Sequence, residues 1–322
     1  MDRWYRTPVL RELGHASIYF PLRAVYGLVA LLPNALLRPA CLGLARVVQC
    51  FDRAHVRTAM DNLTMALPEA SPAERRAIVR GTYRHFALMI RDTVLLWRSR
   101  EKDVLERFFE DPDIDPFRAL KAEGHGLILV TGHLGNWELA GCALNGIYQI
   151  NGLSRHFRNP LIRRSILRLR RAFGQKIIFA NEGLDAMLAC LRRNECLALL
   201  PDKHLKTSRI TVDFFGRRVR VPSSPAVLSW RTGAPILTGG AFRIGETSRF
   251  RLEYAEPIRP DPAAPKGREI RRLSQAYMTA LEHLIRRYPK QWIWAHNRFK
   301  RSIPVSDPGA AAVPAEPRIQ PS

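Results

Sequence analysis

The sequence is poor in acidic residues and in cysteine, and each shortage excludes some classes of protein. Its 322 residues include 29 Asp and Glu against 51 Lys and Arg, giving a formal net charge of +22. Its five cysteines include no Cys-x-x-Cys spacing, so neither a disulfide framework nor a zinc site is expected. A hydrophobic fraction of 46% excludes a wholly disordered chain. The charge predicts an anionic partner: nucleic acid, a membrane surface, or an acidic protein or substrate.

The sequence also lacks a long hydrophobic run. Near the N-terminus the longest uncharged stretch is residues 24–37, which contains Pro33 and falls short of the roughly 20 residues that span a bilayer. Apolar residues continue to Phe51, with Arg38 and Arg46 between them. This pattern favours helices that lie in the headgroup plane of a membrane, while one spanning helix or ordinary buried helices remain alternatives. No small-residue cleavage site follows, so a signal peptide is not expected.

Strand and helix patterns alternate through the rest of the chain. Ser71 and Glu74 form a capping box that predicts the start of a long helix. Apolar runs predict strands at 126–130, 196–200, 212–215, 236–242 and 250–255, and helical periodicity appears at 139–150, 160–173, 183–193 and 268–288. The alternation predicts an α/β sandwich with a central mixed sheet flanked by helices. We expect an N-terminal membrane-anchoring segment over 1–55, the main domain over 56–303 and a disordered Pro/Ala-rich tail over 304–322.

The stretch Thr-Gly-His-Leu-Gly-Asn-Trp-Glu at 131–138 joins the first predicted strand to a helix. Ligands of open α/β sheets bind at the carboxyl ends of strands. His133 and Glu138 would lie about 140° apart on one continuous helix, so they can meet only if the chain bends between them, as Gly132 and Gly135 allow. A neutral imidazole can take a proton from a hydroxyl, and a carboxylate on its other nitrogen would orient it. The spacing alone is a weak signal, and a structural histidine beside a helix start is the alternative.

The same stretch offers no covalent nucleophile. It contains no cysteine, and the chain has no Gly-x-Ser-x-Gly elbow. The sequence therefore favours direct transfer of a group to an acceptor hydroxyl over a covalent acyl-enzyme.

Residues 132–139 resemble the H-x-x-x-x-(D/E) signature of glycerolipid acyltransferases, and more closely that of the bacterial lipid A late acyltransferases, the lauroyl/myristoyl transferase family. Three further blocks resemble this family in the same order: Leu-Leu-Pro-Asp at 199–202, Val-Asp-Phe-Phe-Gly-Arg at 212–217 with its continuation to 235, and Gln-Trp-Ile-Trp-Ala-His-Asn-Arg-Phe-Lys at 291–300. The resemblance covers roughly residues 15–303. It implies acyl transfer, without a cofactor or metal, from an acyl-carrier-protein thioester to a hydroxyl of a lipid A precursor at the cytoplasmic face of the inner membrane.

Carried over residue by residue, the resemblance implies that His133 is the general base and that Glu138 is its orienting partner. Within the block 163–174, it points to Arg170 as a contact for an anionic substrate group. Asp202 is either a second polar residue of the site or an aspartate that caps a turn.

Two basic residues near the end of the last block also match the family. The resemblance implies that Arg298 and Lys300 bind substrate phosphates. The alternative is that they belong to a solvated cationic edge of the protein. The implied partners are an acidic acyl carrier protein, a phosphorylated lipid acceptor and an anionic membrane surface, and each of them suits the charge of +22.

The chain departs from the family pattern at several positions. Lys203 follows Asp202 where the family usually has Gln, and Ser223 and Ser224 stand where Thr is usual. These differences keep open the same chemistry on another lipid hydroxyl, such as that of an ornithine lipid, a glycolipid or a mannoside. A non-enzymatic nucleic-acid-binding protein is disfavoured, because the sequence shows no zinc-finger, RNP or clear helix-turn-helix pattern.

Overall fold

A computed structural model of the chain describes residues 8–99, 104–154, 159–203, 208, 210–299, 302–305 and 319–320. Its helices are α1 (Pro8–Leu31), α2 (Asn34–Phe51), α3 (Arg53–Ala66), α4 (Pro72–Trp97), α5 (Val104–Phe108), α6 (Asp115–Ala122), α7 (Trp137–Leu144), α8 (Pro160–Ala172), α9 (Gly183–Arg192), α10 (Ser224–Thr232) and α11 (Lys266–Arg287). Its strands are β1 (Leu127–Val130), β2 (Ile150–Ser154), β3 (Lys176–Phe179), β4 (Cys196–Leu199), β5 (Ile210–Phe214), β6 (Arg217–Val221), β7 (Ile236–Arg243), β8 (Phe250–Ala255), β9 (Ile303–Pro304) and β10 (Ile319–Gln320).

The central sheet has the strand order β8-β7-β1-β4-β2-β3, with the two-residue β10 paired to the outer edge of β8. Strands β7, β1, β4, β2 and β3 run parallel to one another, and β8 is antiparallel to β7. The predicted mixed sheet flanked by helices is therefore confirmed. The helix expected over 139–150 ends earlier, as α7, and Ile150 instead begins a strand beside Cys196.

The core lies on both faces of this sheet. Alternate residues of β1 belong to different apolar clusters: Ile128 and Val130 pack with α3, α9, α10 and α11, whereas Leu127 and Leu129 pack with α2, α4 and α7. Both sides of the strand are therefore covered, which explains why its sequence is continuously apolar instead of alternating.

A second sheet of three strands, β5-β6-β9, packs against α11. Phe215 and Gly216 form the two-residue turn between β5 and β6, with φ of 53° and 64°. Positive φ at both positions is typical of a type I′ hairpin turn. The Phe215 ring stacks on Trp292 at 6.3 Å, and this packing offsets the strain of an aromatic residue in the left-handed region.

The N-terminal helices present apolar side chains to solvent. The inner face of α2 buries Leu37, Cys41 and Ala45, and α2 packs on α4. Outward-facing residues of α1 and α2 include Leu28, Leu31 and Phe51, which are 67%, 82% and 84% exposed. Within the described ranges, every helix is too short or too polar to traverse a bilayer. The membrane-anchoring role of this segment stays a prediction.

Candidate active site

The loop between β1 and α7 carries the motif around His133. Asn136 caps α7 by accepting a hydrogen bond from the backbone N–H of Leu139 at 3.1 Å. The bend that the sequence required occurs at Gly135, whose φ is 59°. A Cβ at this position would lie 2.1 Å from the carbonyl oxygen of Ala241, so only glycine fits. The bend separates His133 from the helix that carries Glu138.

Asp202 is the carboxylate that binds His133. Its Oδ1 lies 2.8 Å from the ring Nδ1 of His133, and its Oδ2 accepts the backbone N–H of the same residue at 2.6 Å. Trp292 donates its indole N–H to Oδ2 at 3.0 Å. The Asp202 side chain is fully buried. Burial alone would raise its pKa, but the charge and hydrogen bonds of His133 and the bond from Trp292 outweigh burial and hold the pKa well below its usual range.

The sheet explains this pairing. His133 follows β1 and Asp202 follows β4, and β1 and β4 are parallel neighbours in register from Leu127–Cys196 to Val130–Leu199. Their carboxyl ends therefore lie side by side and bring together two residues far apart in sequence. Of the two alternatives that the sequence left for Asp202, its contact with His133 fits a second polar residue of the site.

Glu138 forms no hydrogen bond or ion pair with the His133 ring, which corrects the expected pairing. Its carboxylate is held by Arg170, with Nε to Oε2 at 2.9 Å and Nη2 to Oε1 at 2.6 Å, and by the indole N–H of Trp137 at 3.1 Å. The physical reason is the bend at Gly135, which leaves Glu138 in the first turn of α7 and facing α8. Burial would lower the pKa of Arg170, but the hydrogen bonds and charge of Glu138 raise it above its usual value. Arg170, expected to contact a substrate anion, is engaged here by an internal carboxylate.

A narrow, mostly apolar cavity lies between α7 and the sheet, close to His133. Trp137, whose ring centroid is 5.3 Å from that of His133, forms part of its wall, as does the Glu138–Arg170 pair. The remaining lining is largely aliphatic or glycine and includes Leu129, Leu144, Ile150, Gly152, Leu153, Ala198, Gly240 and Leu252. The lining suits an apolar chain, but the open space measures about 40 Å³, so a fatty acyl chain would enter only if the walls moved apart.

The C-terminal block braces the loop from the other side. Gly135 donates its backbone N–H to the carbonyl oxygen of Gln291 at 2.9 Å, and Ile293 donates to that of His133 at 3.1 Å. Leu134 and Trp292 form the antiparallel bridge between these bonds. The segment around Trp292 therefore holds the loop that carries His133. Through the indole of Trp292 it also holds the carboxylate of Asp202.

Arg298 is buried, which rules out the solvated cationic edge as its setting. It is 1% exposed, donates from Nη1 to the carbonyl oxygen of Arg220 at 2.8 Å, and lies 5.4 Å from the centroid of the Phe214 ring. Burial, opposed by the charges of Asp202 and Tyr277, lowers its pKa to about 10. Lys300, the other expected phosphate contact, lies outside the described residues.

Comparison with known proteins identifies the chain's relatives. The family model of bacterial lipid A biosynthesis acyltransferases matches residues 7–301. The chain belongs to this family. It is 24% identical over 245 residues to the lipid A biosynthesis palmitoleoyltransferase of Escherichia coli (strain K12), covering 75% of this chain and 78% of that protein. It is 24% identical over 282 residues to the lauroyltransferase of the same organism, covering 86% and 89%.

The name of a third relative gives a different class of lipid. The phosphatidylinositol mannoside acyltransferase of Mycolicibacterium smegmatis (strain ATCC 700084 / mc(2)155) is 25% identical over 185 residues, covering 56% of this chain and 59% of that protein. The expected family and an O-acyltransferase activity are confirmed, and the family implies a lipid acceptor.

One part of this acyltransferase's site had no signal in the sequence. Asp92 on α4 is 1% exposed, accepts from the side-chain amide of Asn136 at 3.0 Å, and forms a buried ion pair with Arg243 on β7. This network holds the capping residue of α7 and therefore the end of the loop. In the sequence Asp92 stands between Arg91 and Thr93 of a helix, and neither neighbour indicates a contact with Asn136.

Proposed function

We propose that this acyltransferase moves a fatty acyl chain from an acyl-carrier-protein thioester to a lipid hydroxyl, with His133 as general base and Asp202 as the acid that orients it. The observation that carries this assignment is the double contact of Asp202 with the ring and the backbone of His133. Glu138 is assigned a structural role, because Arg170 and Trp137 occupy its carboxylate.

The tautomer follows from the hydrogen bond to Asp202. Since an ionised carboxylate only accepts, Nδ1 of His133 carries the proton and Nε2 offers its lone pair. Nε2 takes the proton of the acceptor hydroxyl while that oxygen attacks the thioester carbonyl carbon. The carbon–sulfur bond then breaks, and the thiolate leaves with the proton from His133. Asp202 stabilises the imidazolium between these two steps.

We place the acyl chain in the cavity beneath α7, which would have to widen from about 40 Å³ to receive it. It begins beside Trp137, so a chain lying in it would bring its thioester end close to His133. Each methylene moved from water into such a cavity contributes about 0.8 kcal/mol. Binding of this kind holds the reacting carbon near the base.

For the acceptor we propose a phosphorylated lipid A precursor, because the two relatives with the broader coverage are named as lipid A biosynthesis transferases. A mannoside lipid is the second candidate, because a phosphatidylinositol mannoside acyltransferase is also similar to this chain. The enzyme would meet either acceptor at the cytoplasmic face of the inner membrane. The exposed apolar side chains of α1 and α2 would insert there, and a charge of +22 would attract anionic lipid headgroups and an acidic carrier protein.

The reaction is tested by incubating purified enzyme with lauroyl-acyl carrier protein and either a lipid A precursor or a phosphatidylinositol mannoside. Mass spectrometry of the lipids follows the product. We expect a mass increase of one acyl group on the lipid A precursor. Acylation of the mannoside alone would select the second acceptor, and acylation of neither lipid would refute both.

A further inference from the structure

A second imidazole lies against the proposed base. The ring centroids of His296 and His133 are 5.1 Å apart, with their planes at 87°. His296 is partly exposed, and in the described part of the chain neither of its ring nitrogens has a hydrogen-bond partner. Its polar atoms are therefore available to a molecule bound at His133.

The backbone of His296 is held firmly in place. The side-chain amide of Asn62, a residue that is 3% exposed, donates to the carbonyl oxygens of Trp294 at 2.6 Å and of His296 at 2.5 Å. The backbone N–H of Arg298 also donates to the carbonyl oxygen of His296, at 2.7 Å. A polar group fixed in this way resembles a positioned site residue more than a mobile surface side chain.

Several backbone donors beside the base are already in use. The amide of His133 donates to Asp202, that of Gly135 to the carbonyl of Gln291, and that of Asn136 to the carbonyl of Ala241 at 2.8 Å. Acyl transfer places a negative charge on the thioester oxygen, and a donor aimed at this oxygen gives a large part of the rate. A side-chain donor beside the base is therefore a candidate for this role.

The surroundings of His296 keep it uncharged. Burial has the largest effect, and with the charges of His133, Lys203 and His55 it lowers the pKa of His296 to about 4, although Asp202 acts in the opposite direction. At neutral pH the ring therefore has one N–H to donate and adds no positive charge that would weaken His133 as a base.

We propose that His296 is a further catalytic residue, which donates a hydrogen bond to the carbonyl oxygen of the acyl thioester as that oxygen becomes negative. This inference rests on the proposed acyl transfer. His133 takes the proton of the hydroxyl, the new carbon–oxygen bond forms, and the carbonyl π electrons move to the oxygen that faces His296. His296 keeps its proton throughout. When the oxyanion collapses, the carbon–sulfur bond breaks and the thiolate leaves with the proton from His133.

The test compares His296→Ala and His296→Gln with the wild type, using lauroyl-acyl carrier protein and the lipid acylated by the wild type. Loss of one oxyanion donor lowers kcat by about 10²- to 10³-fold. We therefore expect this loss in His296→Ala, with KM for donor and acceptor within about threefold of the wild type. The glutamine variant offers an amide N–H in place of the ring donor and should recover kcat at least about tenfold over alanine. The exposed His125→Ala is the control and should match the wild type.

Three results would overturn the proposal: kcat of His296→Ala within about threefold of the wild type, a loss confined to KM, or a folded glutamine variant no better than alanine. Thermal melting of each variant checks folding, and if alanine does not fold, the glutamine variant and His296→Asn decide by the same criteria. A wild-type enzyme that transfers no acyl chain would refute the proposed function itself, a result distinct from these three.

Discussion

Asp202 accepts both the ring Nδ1–H of His133, at 2.8 Å, and its backbone N–H, at 2.6 Å. One carboxylate therefore fixes the position, the orientation and the tautomer of the proposed base. Folding places both residues at the ends of adjacent parallel strands, so the base needs no reorganisation in each turnover.

Glu138→Gln should act mainly on stability. The variant leaves the guanidinium of Arg170 without its ion pair in a site where the two side chains are 21% and 15% exposed. We expect the free energy of unfolding to fall by about 2–3 kcal/mol, somewhat less than for a fully buried pair. Urea unfolding followed by circular dichroism measures this loss.

The double variant Glu138→Gln/Arg170→Met is the matched control, and it should recover part of the stability because no unpaired charge remains. If Glu138→Gln instead kept full stability and lost as much turnover as His133→Ala, the assignment of Glu138 to structure would be wrong.

Ala198→Leu should shorten the acyl chains that the enzyme uses. Ala198 lines the cavity beneath α7, and a larger side chain there displaces two or three methylenes of a bound chain. At about 0.8 kcal/mol for each methylene, preference should move toward the shorter donor by about 10- to 100-fold. Competition between dodecanoyl- and hexadecanoyl-acyl carrier protein measures the ratio.

Ala189→Leu, on α9 away from this cavity, is the control and should keep the wild-type ratio. An equal shift in both variants would count against the cavity as the site of the acyl chain.

Binding to anionic vesicles should be only partly sensitive to salt. Raising NaCl from 0.15 to about 1 M screens the attraction of basic residues for anionic lipid but leaves apolar insertion intact. Co-sedimentation should therefore show a bound fraction that salt does not release. The triple substitution of Leu28, Leu31 and Phe51 by serine should remove that fraction. Complete release of the wild type by salt would argue against insertion of α1 and α2.

Acid should destabilise the fold partly through His85. This residue donates from Nε2 to the carbonyl oxygen of Gly135, and burial together with the charge of Arg243 lowers its pKa to about 3 from 6.5. Between these two pH values the His85 ring is protonated in the unfolded chain and neutral in the folded chain. Stability contributed by neutral His85 is therefore present above about pH 6.5 and is lost as pH falls, by up to about 1.4 kcal/mol per pH unit.

His85→Gln keeps a donor for Gly135 but cannot take up this proton. Urea unfolding at pH 7, 6 and 5 should show a shallower loss of stability in the variant than in the wild type. If stability fell equally with pH in the variant and the wild type, His85 would not be the source of the acid sensitivity.

The sequence predicted the central strands because they are continuously apolar: β1, β4, β7 and β8 were all expected close to their observed bounds. It missed β2, β3 and β6. β2 contains Asn151 and Gly152, residues that are rare in strands, and β3 is short and lies at an edge of the sheet. The alternation in β6 was readable, since Val219 and Val221 face inward between exposed arginines.

Of the proposed pair His133 and Asp202, only His133 was predictable as the base from the sequence. His133 follows from a motif that is local in sequence, whereas its pairing with Asp202 depends on which strand lies beside β1. Neighbouring strands of a parallel sheet are separated by whole helices, so a spacing in sequence does not show them. The same limit concealed His296 and Asp92, which reach the loop through tertiary packing alone.

The most direct test of the account compares kcat of Asp202→Asn with that of Glu138→Gln, in folded enzyme with saturating lauroyl-acyl carrier protein and acceptor lipid. An amide at position 202 cannot fix the Nδ1–H tautomer or stabilise the imidazolium, so we expect kcat to fall by about 10³- to 10⁴-fold. The glutamine at 138 should leave kcat at least about tenfold higher than that of Asp202→Asn. Near-normal kcat in Asp202→Asn together with loss of turnover in Glu138→Gln would contradict the assignment of Asp202 as the partner of His133.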